Sequence, residues 1–236
     1  MTRFLSVLRW DVTLQYRYKF YGVSVFIVAF WAGIFSLFPA IGQSDGALAL
    51  PAFFVINLNT TTFYFIAALV LLERAEGIHT ALATSPLRDF EYLLSRVLSL
   101  TFLATVETAL VVVIILGGKC NWGLLFLGGI QLGVVYTLIG FILVLPYDSI
   151  NAFLMPSVIY VTLLLLPLVE HFGGLSQSLF YIHPVEPALV LMRAAYQPVS
   201  SGHLVYGAVG GLFWVVVCFV VARKRYEAYL VRQIHV

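Results

Sequence analysis

The chain has 236 residues, 61% hydrophobic and only 10% charged, with a formal net charge of +2 and a mean hydropathy of +0.99. So little polar surface excludes a soluble globule, and without a dense basic face the small positive charge excludes nucleic-acid binding. What remains is an all-α polytopic membrane protein, because apolar runs of about 20 residues span a bilayer as helices and these runs are too long and continuous for barrel strands.

Residues 2–19 read as an N-terminal amphipathic interface helix. Ser6, Arg9, Thr13 and Arg17 recur along one face while Phe4, Leu5, Leu8 and Val12 gather on another, which suits a helix lying on the inner membrane surface; the alternative is a plain basic anchor that only sets topology. Six apolar runs follow, at about 21–41, 50–72, 93–116, 122–145, 150–169 and 204–222. The first is too long for the core of a signal peptide and is read as a retained span. Eleven of the thirteen Lys and Arg residues lie at the N-terminus, between runs two and three, or at the C-terminus, leaving only Lys119 and Arg193 on the other side. Cytoplasmic loops carry the excess of basic residues, so both termini are expected to be cytoplasmic in a multi-pass cell-membrane protein. The whole chain, 1–236, is expected to form a single transmembrane domain.

Between runs two and three lies a charged island, 73–91, the cytosolic segment of greatest interest. Gly77 permits a turn, 78–84 can form two short helical turns, and Ser85-Pro86 is an N-cap followed by proline at the first helical position. An ordinary solvated loop of mixed charge is the competing expectation.

In the second run Asn57, Thr60, Thr61 and Tyr64 fall at i, i+3, i+4 and i+7, a polar stripe facing other helices or a cavity. Interhelical hydrogen bonds and a substrate-lining role both fit it. Glu107, in the third run, lies roughly 15 Å below the outer end, where an ionised acid costs on the order of 3 kcal/mol. It is therefore expected to be protonated, paired or facing water. The fifth run places Tyr160 and Thr162 between Pro156 and Pro167, and each proline bends the helix to widen a cavity or to fit a neighbour. Gly129 with Gly133 and Gly207 with Gly211 have the spacing of close helix approach, within one subunit or across a dimer. Before the last run, 176–198 carries Pro184 and Pro187 between apolar stretches of half a membrane thickness, which predicts a re-entrant helical pair turning at 183–187 and climbing towards Arg193, or two helices flat in the outer interface.

Catalytic signatures are missing. Gly118-Lys119 has Val113 and Cys120 where a phosphate loop needs glycine and Ser or Thr, and the five histidines show no metal-ligand spacing. No enzyme activity, bound metal or cofactor is expected of this chain. Cys120 and Cys218 are separated by roughly 20 Å of helix depth, too far for an intramolecular disulfide.

Glu73-Arg74, Glu76-Gly77, Leu82, Ser85-Pro86-Leu87 and Tyr92-Leu93 followed by Arg96 resemble the segment after the second span in permease subunits of ABC transporters of the ABC type-2 class. The break at Pro184 with Leu191 and Arg193 is similar to that family's short re-entrant pair, and the similarity covers essentially the whole chain. The resemblance implies a coupling segment (Glu73, Arg74, Glu76, Gly77, Leu82, Pro86) docked on a cytosolic ABC ATP-binding subunit, two copies of which hold the ATP and Mg. It also implies a second permease chain, in a homodimer or heterodimer, and an outer gate at His183, Pro184, Pro187 and Arg193. Relatives of this size are often called drug export permeases, fluoroquinolone exporters among them. The expected function is the membrane half of an ATP-driven multidrug-type exporter in a bacterial or archaeal membrane, moving a hydrophobic or amphiphilic drug-like, lipid-like or peptide cargo past Asn57, Thr60, Thr61, Tyr64, Glu107, Tyr160 and Thr162. The rivals are an ion-coupled secondary carrier using Glu107 and a non-transporting membrane scaffold.

Overall fold

Every long apolar run forms a helix, since backbone groups in lipid find partners only within their own segment. The structure is a computed structural model that describes residues 2–37, 46–78, 89–116, 120–174 and 179–234. The described elements are α1 (Thr2–Arg17), α2 (Phe20–Leu37), α3 (Gly46–Leu58), a π-helical turn (Asn59–Tyr64), α4 (Phe65–Ala75), α5 (Asp89–Leu116), α6 (Trp122–Val144), α7 (Ile150–Leu164), α8 (Pro167–His171), α9 (Glu186–Ala194) and α10 (Ser201–Ile234). Among the described residues, six stretches are long and apolar enough to cross a membrane: Phe20–Leu37, Leu50–Ala75, Asp89–Ile114, Trp122–Val144, Ile150–His171 and Ser201–Val231. They coincide with the six predicted spans.

The fourth span, α6, is the axis of the bundle, packing against the second, third and sixth spans and against α9. Its glycines permit this. A Cβ on Gly128 would stand 2.9 Å from the Ala188 carbonyl of α9, and one on Gly140 would stand 2.9 Å from the Phe63 carbonyl, so both backbones approach closer than any larger residue allows. Gly207 and Gly211 serve the same purpose within the subunit, against Pro187 and Leu191 of α9 and against Gln131 of α6, whereas the Cβ position of Gly129 is open. The second and fourth spans are 72% and 67% buried and the first and sixth only 17%, which puts the latter two on the perimeter.

The interface helix α1 presents three faces where composition suggested two. Asp11, Leu14 and Gln15 are buried against α5, with Gln15 Nε2 donating to Ser99 Oγ at 2.9 Å. Leu5, Val12 and Tyr16 are exposed on one flank, and Ser6, Arg9, Thr13 and Arg17 on the other. An apolar flank, a polar flank and a protein-facing edge suit a helix wedged between lipid, water and the bundle. Of the expected helical pair before the last span, the second limb is α9, buried against the fourth and sixth spans; ahead of it residues 179–185 form turns. Pro184 disfavours α geometry at His183, and Pro187 sits in the first turn of α9, where its missing N–H costs nothing.

Candidate functional site

Three polar constellations lie in the bundle. The first is at the end that gathers α1, the end of the second span and the far reach of α10, the elbow end. There α4 stops at Ala75, and Gly77, with φ +70, turns the chain out of the helix. Glu73 is fully buried and accepts from Tyr92 Oη at 2.7 Å and from Arg96 Nη2. The Arg96 guanidinium stands over the Tyr92 ring and places Nη1 3.1 Å from Asp11 Oδ1, while Ser95 Oγ donates to Asp11 Oδ2. Two buried carboxylates thus share one buried guanidinium and fasten α1, α4 and α5 together.

The next residue, Arg74, faces the other way. Its Nη2 donates to the Leu145 carbonyl at 2.9 Å, its Nη1 to the Tyr147 carbonyl, and its Nε to Tyr229 Oη at 3.1 Å. Arg74 therefore caps carbonyls left over at the end of α6 and stacks on Tyr229 of α10, with exposed Asp148 3.0 Å away. Arg17 of α1 bonds Glu76 at 3.0 Å in an exposed pair, worth at most about 1 kcal/mol. Leu82 and Pro86, with most of the predicted coupling helix 78–84, lie outside the described residues.

The second constellation is at mid-membrane. Thr61 Oγ1 donates to Glu107 Oε2 at 2.6 Å, both residues being buried, as is Asn57 four residues before Thr61. The π turn inserts an extra residue into the helical repeat, so the predicted four-residue stripe is split. Thr60 faces outward and bonds back to the Ile56 carbonyl, while Thr62, unforeseen, faces in. Ser24 also faces the Glu107 carboxyl, while the Asn57 amide and the Thr101 hydroxyl have no protein hydrogen-bond partner, an interior that water or a polar ligand group would satisfy. On the fifth span Tyr160 Oη pairs with Tyr147 Oη at 2.8 Å, half-buried Tyr64 faces Ser157 at 3.5 Å, and Thr162 is exposed and bonded to the Val158 carbonyl. The seven predicted path residues therefore divide between an interior group (Asn57, Thr61, Glu107), a fifth-span group (Tyr64, Tyr160) and two outward threonines.

The third is at the opposite end. Arg193, on α9, donates through Nη1 and Nη2 to Glu170 at 3.3 and 2.5 Å and through Nη2 to Glu186 at 3.2 Å. The Ala195 carbonyl just beyond accepts from Asn121 N at 3.0 Å, tying α9 to the turn before α6. His183 Nδ1 accepts from Val185 N, which assigns the proton to Nε2, 3.2 Å from the Leu163 carbonyl; burial lowers the imidazole below its usual range. A cavity of about 290 Å³ beside this group is lined by Val190, Arg193, Pro198, Val199, Ser200 and His203. Pro184 is partly exposed in the turn.

Sequence reasoning overlooked Asp11, Ser95, Glu170, Glu186 and Tyr229. A lone acid in an otherwise basic N-terminal helix was the available signal for Asp11, and Glu170 and Glu186 are the two acids that precede the only arginine of their segment.

The sequence profile of the Fluoroquinolones export permease protein family matches residues 2–234. Two fluoroquinolones export permease proteins of Mycobacterium tuberculosis, from strains CDC 1551 / Oshkosh and ATCC 25618 / H37Rv, are each 32% identical over 202 residues, covering 85% of this chain and 84% of the relative.

Proposed function

This chain belongs to the fluoroquinolones export permease family, and from that membership we propose that it is the membrane-spanning half of an ATP-driven ABC exporter. ATP and Mg are handled by a separate cytosolic ATP-binding subunit, present in two copies, and a second permease chain completes the path. The observation that carries this reading is the elbow: Glu73 and Arg74, consecutive at the end of the second span, between them hold α1, α5, the turn after α6 and α10. A push on that elbow moves every element of its end at once, as a coupling segment requires. The basic residues concentrated at this end support a cytosolic orientation for it.

The cargo is an amphiphile, and the names of the relatives make a fluoroquinolone the first to try. Asn57, Thr61 and Glu107 offer it polar partners in the interior, and Arg193, held by Glu170 and Glu186 beside His183, Pro184 and Pro187, acts as the latch of the outer gate. The test is co-purification in mild detergent followed by reconstitution with the ATPase that accompanies the chain. ATP-dependent uptake of a fluoroquinolone into inside-out vesicles, lost in Glu73→Gln while ATP hydrolysis persists, is the expected result. Uptake driven by a pH gradient without nucleotide, and abolished by Glu107→Gln, would instead favour an ion-coupled carrier, a reading that the buried Glu107, with no cation beside it among the described residues, keeps in play. Assembly without any cargo movement would leave a scaffold.

A further inference from the structure

The buried joint of Asp11, Arg96 and Glu73 carries one negative charge more than its cation cancels. All three side chains are essentially inaccessible, at 0, 1 and 0% exposure, so the surplus charge is not shared with water. The two acids are unequally supported. Glu73 accepts two hydrogen bonds, from Arg96 and Tyr92, whereas Asp11 accepts one, from Ser95, and its Oδ1 faces Arg96 without a hydrogen bond. An unbalanced buried charge is relieved by proton uptake at the less supported acid.

We propose that this joint is a proton-binding switch: Asp11 takes up one proton from the cytosol and thereby sets how firmly the interface helix α1 is fastened to the second and third spans. With Asp11 protonated the joint is neutral, Arg96 serves Glu73 alone, and α1 sits tightly on α5. With Asp11 ionised the surplus charge loads the joint, and α1 loosens together with Glu76, to which it is tied through Arg17. The charged groups bearing on Asp11 are Arg96 of α5 and Glu73 of α4; α2, also packed on α1, contains no charged residue. Burial raises the Asp11 carboxyl to about 6, with Glu73 adding to the rise and Arg96 and the Ser95 hydrogen bond opposing it, within reach of an acidified cytosol. Because a folded-state value above the unfolded one favours the protonated native form, this contribution to stability is complete below about pH 4. It is lost as pH rises through about 6. The proton site stands apart from the exporter reading; its effect on coupling rests on that reading.

The experiment uses the full-length protein in nanodiscs, wild type and Asp11→Asn, with thermal midpoints and amide hydrogen exchange of α1 measured from pH 4.5 to 7.5 and corrected for intrinsic exchange. Wild-type α1 is expected to exchange faster at pH 7.5 than at 5, while in Asp11→Asn it stays slow throughout. The variant should melt roughly 5 °C above wild type at pH 7.5, a gap that closes towards pH 4. Should Asp11→Asn fail to fold, Ser95→Ala serves, since removing a donor to the ionised acid must move the wild-type exchange transition to higher pH. Exchange in α1 that ignores pH, or a transition unmoved by either substitution, overturns the switch. A switch present in nanodiscs with no ATP-driven export in vesicles would sink the exporter reading and leave the proton site standing.

Discussion

Glu73 and Arg74 are neighbours in sequence and grip opposite halves of one end of the bundle, Glu73 through Arg96 to α1 and α5, Arg74 through the carbonyls of Leu145 and Tyr147 and the ring of Tyr229 to α6 and α10. Successive helical residues point about 100° apart, so two adjacent polar side chains at a helix end can clamp two sides at once. The elbow is thereby a rigid node.

Arg96→Met is expected to destabilise the protein by about 3–5 kcal/mol, because it leaves two buried carboxylates without their cation. The triple variant Asp11→Asn, Glu73→Gln, Arg96→Met should recover most of that loss, since replacing a whole buried ionic group is far cheaper than breaking it. Thermal unfolding in a single detergent checks both. A single variant as stable as wild type would mean that the triad is not closed in solution.

Arg74→Lys keeps the charge and loses the fork. One ammonium cannot reach Leu145, Tyr147 and Tyr229 together, so a loss of about 2 kcal/mol is expected, on the scale of hydrogen bonds to a charged group. Hydrogen exchange should quicken in residues 145–149 and 226–231 and remain unchanged in α9, at the other end. Uniform quickening would contradict a local clamp.

The spans were legible because lipid imposes a length and a composition on each, and the ER-x-EG segment marked the elbow because a turn out of a span needs a residue that tolerates positive φ. The π turn at 59–64 was not legible: one extra residue changes no composition, yet it turns Thr60 outward and Thr62 inward. Asp11 was hidden for another reason. Its partner Arg96 lies 85 positions away, and periodicity within α1 cannot tell a protein-facing edge from a water-facing one. Arg193 drew attention as a stray charge, but its partners Glu170 and Glu186 come from either side of a proline-rich turn whose path only the fold supplies.

Close approach along α6 can be tested with adjacent glycines. Gly128→Val drives a side chain into the Ala188 carbonyl and Met192 and should cost about 1–3 kcal/mol by overpacking. Gly129→Ala, one residue on, meets nothing within 4 Å and should be neutral or stabilising by a few tenths of a kcal/mol. Thermal midpoints that rank the two variants the other way would place α9 elsewhere.

The ion pairs of Arg193 with Glu170 and Glu186 at the far end predict a change in thiol accessibility. Cys120 is half-buried facing Tyr196, and Asn121 next to it bonds the Ala195 carbonyl, so the end of α9 covers the thiol. Burial also holds the thiol above its usual range, and maleimide labelling at pH 7 should be slow in the wild type. Arg193→Gln leaves Glu170 and Glu186 facing each other without their cation, which favours displacement of α9. Loosening of α9 by about 1.4 kcal/mol would raise labelling of Cys120 roughly tenfold, while Cys218, buried in the sixth span, should not respond. Glu170→Gln removes one of the two acids and should labilise Cys120 less, because Arg193 keeps Glu186; equal labelling in both variants and the wild type would mean that α9 is held by packing alone.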